Sequence, residues 1–463
     1  MQGDGFRSIR RVAAAAAFFL AAGLASAGSP PPEKVALTNA KIIPIVGEGL
    51  DSGTILIERG RIVAIGKDVE VPFDARVFDL KGKTVMPGLV HPNCYRGTDG
   101  ANEARPITPQ LDTADSIDPS QIFFEDQLRV GIAAINVMPG DNTVIGGLGR
   151  IVRPIGLTPA QMTIAEGAFL KVCISPRAGY DRMLQMASLR ETFAELDSYL
   201  EKLAEKRYED KLRDDQKKMD VGLAEQRKRG RALIRAEDVD DEHRNILRAR
   251  GGIVRFGGEE GPTLFKPLGA MVTVRSAMDV APAVKLAKEF GFFDRTVFVL
   301  GPETFKAISE LKSAARPVIL PEEMIHRETD PLTGDLTEVF VPKRFFDAGL
   351  LFAITPGSDQ SMPERMPTYQ AARCVRGGIP RDVALRAITL HAAKVLGLDD
   401  RIGSIEVGKE AYLTVFSGDP LDFNSVVEKV FIEGIPAYER EKDVRIQRLL
   451  STESQPAAAG GGE

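Results

Sequence analysis

Histidine is scarce: the 463 residues contain four, His91, His243, His326 and His391, and no two are close in sequence. No HxH or HxxxH pair exists, which excludes a metal site built on paired imidazoles along one strand or one helical turn. Cysteine is scarcer still. Cys94, Cys173 and Cys374 are dispersed and odd in number, so neither a complete disulfide framework nor a thiolate metal cluster can be drawn from them, and three buried small hydrophobes are expected. Neither sign of charge dominates, with 60 Lys plus Arg against 65 Asp plus Glu. That balance excludes the basic surface a nucleic-acid partner requires. A hydrophobic content of 43% excludes a disordered chain.

Long apolar runs are also missing. The run Val12 to Leu24 is shorter than the ~20 residues that span a bilayer. It is preceded by Arg7, Arg10 and Arg11 and followed by Ala25, Ser26 and Ala27, so residues 1–27 read as a secretory signal peptide. The expected product is exported, periplasmic or secreted, with no membrane anchor after cleavage. Residues 28–34 are a Pro-rich linker.

What is present is an ordered alternation. From Val35 the runs VALTNAKII, TILIERGRIVAIG and ARVFDL read as short strands separated by turns, and a matching set, AYLTVF and VVEKVFIEGIPAY, lies near the other end. Two β units too small to bury a core alone are expected to form one composite β-sandwich, 35–86 plus 400–440. Between them, GIAAINVM, FLKVCI, AMVTV, TVFVL, RPVIL and LLFAIT alternate with helical stretches. This predicts an α/β fold, a (β/α)8 TIM-like barrel over 87–399 with its site where strands end and loops begin. Residues 201–250 carry 15 basic and 13 acidic side chains, and Leu189, Phe193, Leu196, Leu200 and Leu203 form a helical seam before them. A charged helical insertion over about 181–250 is expected, either covering the barrel or acting as a dimerisation arm. Residues 441–463 read as a tail with a disordered end.

The motifs NAKIIP, TVMPGLV, NVMPGDNTVIGG at 136–147, ITPGSD at 354–359 and ALRAITLHAAKVLGLDDRIGSIEVGKEAYLTVFSGDPL resemble the metal-dependent amidohydrolase superfamily, in its imidazolonepropionase-like branch. The resemblance runs from about Val35 to Tyr438. It implies the barrel and the composite sandwich already inferred. It also implies a divalent ion that lowers the pKa of a bound water and polarises a carbonyl. In relatives the first barrel strand ends PGxxDxHxH; in this chain the stretch is Pro87 to Tyr95, and Asn93 and Tyr95 stand at the two histidine positions. The histidines of the fifth and sixth strands correspond to Thr273, or Arg275 if the register slips, and to Leu300. Asp359 of GSD is the retained family acid and catalytic candidate, and Lys171 matches a lysine that some relatives carboxylate to bridge two metals.

Two functions follow from the resemblance. The first is a catalytically degenerate homologue with no cofactor, which acts by binding or as the partner subunit of an active relative, in a homo- or hetero-oligomer. The alternative is an active hydrolase of carbon–nitrogen bonds with a rebuilt site of His91, Cys94 and Asp359 holding zinc or another divalent metal. Arg275, if it projects inward, puts a cation where the metal stood, pairs with Asp359, and turns the pocket into a charge-balanced core or a carboxylate site. His326, with Glu322 and Glu323, is expected in a polar loop at the barrel mouth. His243 is expected to be exposed, and Gly146 and Gly147 to shape a turn.

Overall fold

The computed structural model describes residues 34–219, 221–357 and 365–453; the leader, most of the linker, Asp359 and the last ten residues lie outside them. Strands from both chain ends share one eight-stranded sheet. Val35–Ile42, Leu50–Glu58, Arg61–Gly66, Arg76–Asp79 and Thr84–Pro87 come from one side, and Leu413–Phe416, Val427–Ile432 and Ile435–Glu439 from the other. The joint is an antiparallel ladder in which Pro87 faces Leu413 and Thr84 faces Phe416. Leu37, Ile55, Ile57, Val85, Leu413 and Phe431 form a common core, and Phe78 meets Phe431 edge-on at 5.1 Å. Each such side chain contributes about 1.5–3 kcal/mol on burial, and the core is complete only with both ends present. The backbone joins these strands from both ends as one sheet. The C-terminal stretch contains a helix, Val444–Glu453.

The central part holds seven strands in two parallel ladders. We number them β1 (Leu89–Cys94), β2 (Ile132–Val137), β3 (Phe169–Cys173), β4 (Gly269–Val274), β5 (Thr296–Leu300), β6 (Val318–Leu320) and β7 (Phe352–Ile354). β1 pairs with β2, and β3 to β7 pair in chain order. These strands are almost wholly buried and read as continuous apolar runs, the signature of parallel strands covered on both faces. The stretch 145–152 runs antiparallel between the ladders: Ile145–Leu148 pairs with β3 and Arg150–Val152 with β2. Gly146 and Gly147 therefore sit in a strand, not a turn. A Cβ on Gly147 would collide with the carbonyl of Leu111, so close backbone approach is what the glycine provides.

The insertion is a folded helical hairpin. Helix α1 (Ile122–Arg129) precedes it, and α2 (Arg182–Asp214) begins where the Asp181 carboxylate accepts the Leu184 N–H at 2.8 Å. Its buried seam is Leu189, Phe193, Leu196 and Leu200, continued by Ala204 instead of the expected Leu203. Phe193 stacks on Phe290 and Phe292, at 4.8 and 5.2 Å, so the seam packs within this chain. The antiparallel α3 (Leu223–Arg231) approaches so closely that a Cβ on Gly230 would meet the Ala204 carbonyl. His243 is not exposed: it lies flat on Tyr199, with ring centroids 3.9 Å apart. No helix among the described residues is long and apolar enough to cross a membrane.

Candidate functional site

The ends of β1, β4, β5, β6 and β7 surround a cavity of about 290 Å³. Asn93, Tyr95, Thr273 and Leu300 all line it, together with Arg275, Asp141, Glu322, Glu323 and Thr355. The four positions matched to family histidines thus converge in space, with Arg275 among them.

Asp141 organises the interior side of this cavity. It follows β2 in the turn Pro139, Gly140, Asp141, and its carboxylate contacts the ammonium of Lys171, which projects from β3. Thr273 Oγ1 donates to the same carboxylate at 3.2 Å, and Arg275 Nη2 approaches it at 3.6 Å. The Lys171 side chain is only 1% exposed, Asp141 23% and Arg275 56%. Burial works against both members of the central pair. It is outweighed at Asp141 by Lys171, Arg275 and Thr273, which hold the carboxylate below its ordinary range, and at Lys171 by Asp141, which holds the ammonium above its own. An ion pair therefore lies at the core of the site. Cys173, beside it on β3, is pushed by burial up to about 11 and stays a thiol.

Several expectations change here. Asp359 lies outside the described residues, and the carboxylate that Arg275 meets among them is Asp141. Lys171 donates to a carboxylate, a role that fits an ammonium and not the carbamate anion of a metal bridge. His91 and Cys94 do not line the cavity. His91 faces Ile135 and Cys94 faces Val137, so three residues of β1 span two of β2, and the extra residue forms a bulge around Pro92 and Asn93. The bulge turns Asn93 to the cavity while His91 faces outward, where Nδ1 meets Gln127 Oε1 of α1 at 3.1 Å. Burial pushes the His91 imidazole down to about 4. The Cys94 sulfur accepts the Arg96 N–H at 3.3 Å. His326 is in a β-hairpin, Ile325–Thr329 with Leu336–Phe340, not a loop, 3.8 Å from Glu328 and edge-on to Phe305.

These residues do not fit a catalytic divalent ion. Its donors would have to come from an amide, a phenol, two hydroxyls and the carboxylates of Glu322, Glu323 and Asp141, the last already engaged by an ammonium, with Leu300 offering none and no imidazole or thiolate among the described lining residues. Among the described residues no three His, Cys, Asp or Glu side chains gather as a metal site. Asp141 is the residue that sequence reasoning missed. Its signal was its place in a Pro-Gly-Asp turn directly after a buried strand.

Comparisons with known proteins point to one family. Residues 352–437 match the Amidohydrolase family. The imidazolonepropionase of Symbiobacterium thermophilum is 23% identical over 423 residues, covering 82% of this chain and 86% of that protein. The amidohydrolase tasK of Hapsidospora irregularis is 22% identical over 420 residues, 84% of this chain, which spans only 40% of that protein's length. The crystal structure of an amidohydrolase from Thermotoga maritima superimposes with a TM-score of 0.67 at 25% identity, covering 88% of this chain and all of that one.

Proposed function

Since the chain belongs to the amidohydrolase superfamily, on its imidazolonepropionase-like side, we propose that it is a non-hydrolytic member that keeps the scaffold and works by binding at the strand-end cavity. The observation that carries this reading is the Lys171–Asp141 pair beside Asn93, Tyr95, Thr273 and Leu300. A protein ammonium stands among the positions where relatives gather imidazoles, and among the described residues no three His, Cys, Asp or Glu side chains gather to hold a water-activating ion. The two ladders are read as parts of a closed (β/α)8 barrel, and the eight-stranded sheet as folding over its own core into a sandwich. The basic, apolar and small-residue order of residues 1–27 supports export to the periplasm or medium. There the protein acts as a homo-oligomer or as partner subunit to an active relative.

Elemental analysis tests the central point. The purified protein is expected to carry far less than one equivalent of Zn, Mn, Fe or Ni, and a panel of amides and cyclic amides to be left intact. A full equivalent of metal, with amine or ammonia release abolished by a chelator, overturns the proposal.

A further inference from the structure

Resting on that reading of the cavity as a binding site, we propose that it takes a small monocarboxylate, whose anion pairs with Arg275 and whose N–H or O–H donor meets Asn93 Oδ1. The charges point this way. Asp141 is already in contact with Lys171, while Arg275 stands 3.6 Å off and is 56% exposed. The guanidinium fork is thus mostly unspent, and its planar donors match a carboxylate. Its backbone is fixed: the Arg275 N–H donates to Ser175 Oγ at 2.7 Å, and Ser175 Oγ donates to Asp279 Oδ2 at 2.8 Å. Gly301 packs so tightly against the Arg275 carbonyl that no Cβ fits between them. Such anchoring lowers the cost of ordering the site on binding.

A second group lacks a partner in the same space. Among the described residues Asn93 Oδ1 is buried with no hydrogen-bond partner, and so is Thr355 Oγ1. Both residues line the cavity. An acceptor left this way costs free energy until a donor arrives, so a ligand N–H or O–H gains more there than in water. Val299, Leu300 and Leu320 supply an apolar wall, and Glu323 places negative charge in the lining. That charge disfavours a second anionic group, which selects monocarboxylates over dicarboxylates and phosphates.

Titration calorimetry with N-acetylalanine, its neutral analogue N-acetylalaninamide, N-acetylaspartate and propionate tests the assignment. N-acetylalanine is expected to bind more tightly than the other three. Arg275→Gln is expected to weaken it by about tenfold or more, and Arg275→Lys by less, with unliganded melting temperatures close to that of the unaltered protein. Asn93→Leu is expected to weaken N-acetylalanine while leaving propionate unchanged. No heat with N-acetylalanine up to about 10 mM, equal binding of the amide, or retained affinity in Arg275→Gln overturns the carboxylate site. An equal loss of both ligands in Asn93→Leu overturns the donor contact. If N-acetylalanine is bound and also cleaved, the carboxylate site stands and the non-hydrolytic reading falls. If it is neither bound nor cleaved, the reverse holds.

Discussion

Replacing Asp141 by Asn leaves the Lys171 ammonium buried without its counter-charge. Removing one partner of a buried pair costs about 3–5 kcal/mol. Lys171, with 1% of its side chain exposed, cannot reach water for relief. The chain has one escape, which is to give up the proton. Holding a neutral lysine at pH 7 against an ordinary value of 10.5 costs about 1.4 kcal/mol per pH unit, or about 5 kcal/mol, and this caps the loss. Unfolding entropy of about 2.1 cal/mol/K per residue over roughly 400 ordered residues converts 3–5 kcal/mol into a melting temperature about 4–6 °C lower.

The sign of the pH dependence is specific. In the unaltered protein Asp141 is lowered and Lys171 raised, so the pair contributes fully between about pH 4 and 10.5. Its contribution is lost as pH falls through the Asp141 value or rises through that of Lys171. In Asp141→Asn the lysine is depressed instead. The unfolded state then binds more protons, and the deficit shrinks with rising pH, to about 2 kcal/mol at pH 9. The double variant Lys171→Met with Asp141→Asn removes the stranded charge and is expected to recover most of the loss. Differential scanning fluorimetry at pH 7 and 9 reads all of this. An Asp141→Asn protein that melts with the original, or a deficit that does not change with pH, refutes the reasoning.

Three further outcomes are expected. His91, buried with its imidazole pushed down to about 4, makes the fold lose about 3 kcal/mol as pH falls from 6.5 towards 4; His91→Met should flatten that part of an acid-unfolding curve, and an unchanged slope counts against it. Phe193→Ala empties the stack with Phe290 and Phe292 and should cost about 3–5 kcal/mol, measured by thermal unfolding and by faster proteolysis within 201–250. Gly301→Ala drives a methyl into the Arg275 carbonyl and should weaken N-acetylalanine binding with the guanidinium still present; calorimetry showing full affinity argues against a preset arginine.

The sequence carried the fold through its periodicity. Buried runs such as IAAINV and TVFVL announce parallel strands, and the two end sets of short strands announce a joint sheet, because neither holds enough apolar surface alone. The four positions matched to family histidines, Asn93, Tyr95, Thr273 and Leu300, line one cavity. Which neighbouring side chain shares that cavity could not be read. The bulge at Pro92 separates Asn93 from His91, although simple alternation puts residues 91 and 93 on one face. Asp141 sits in a loop, where no period marks direction, and it meets Lys171 although the 145–152 stretch lies between β2 and β3. The hairpin at His326 was legible in principle: alternating IHRET and LTEVF flank a turn whose Asp330 carboxylate accepts the Leu332 and Thr333 N–H groups.

The ladder between Thr84–Pro87 and Leu413–Phe416 sets an order on biosynthesis. A ribosome releases the first of these strands long before the second exists, and throughout that interval the nascent chain carries an open hydrogen-bonding edge. The later strands of this sheet act as a latch that the ribosome delivers late. Truncations near residue 410 should therefore yield aggregates instead of a trimmed soluble product, and slow translation of the final third should lengthen the period in which a chaperone is needed.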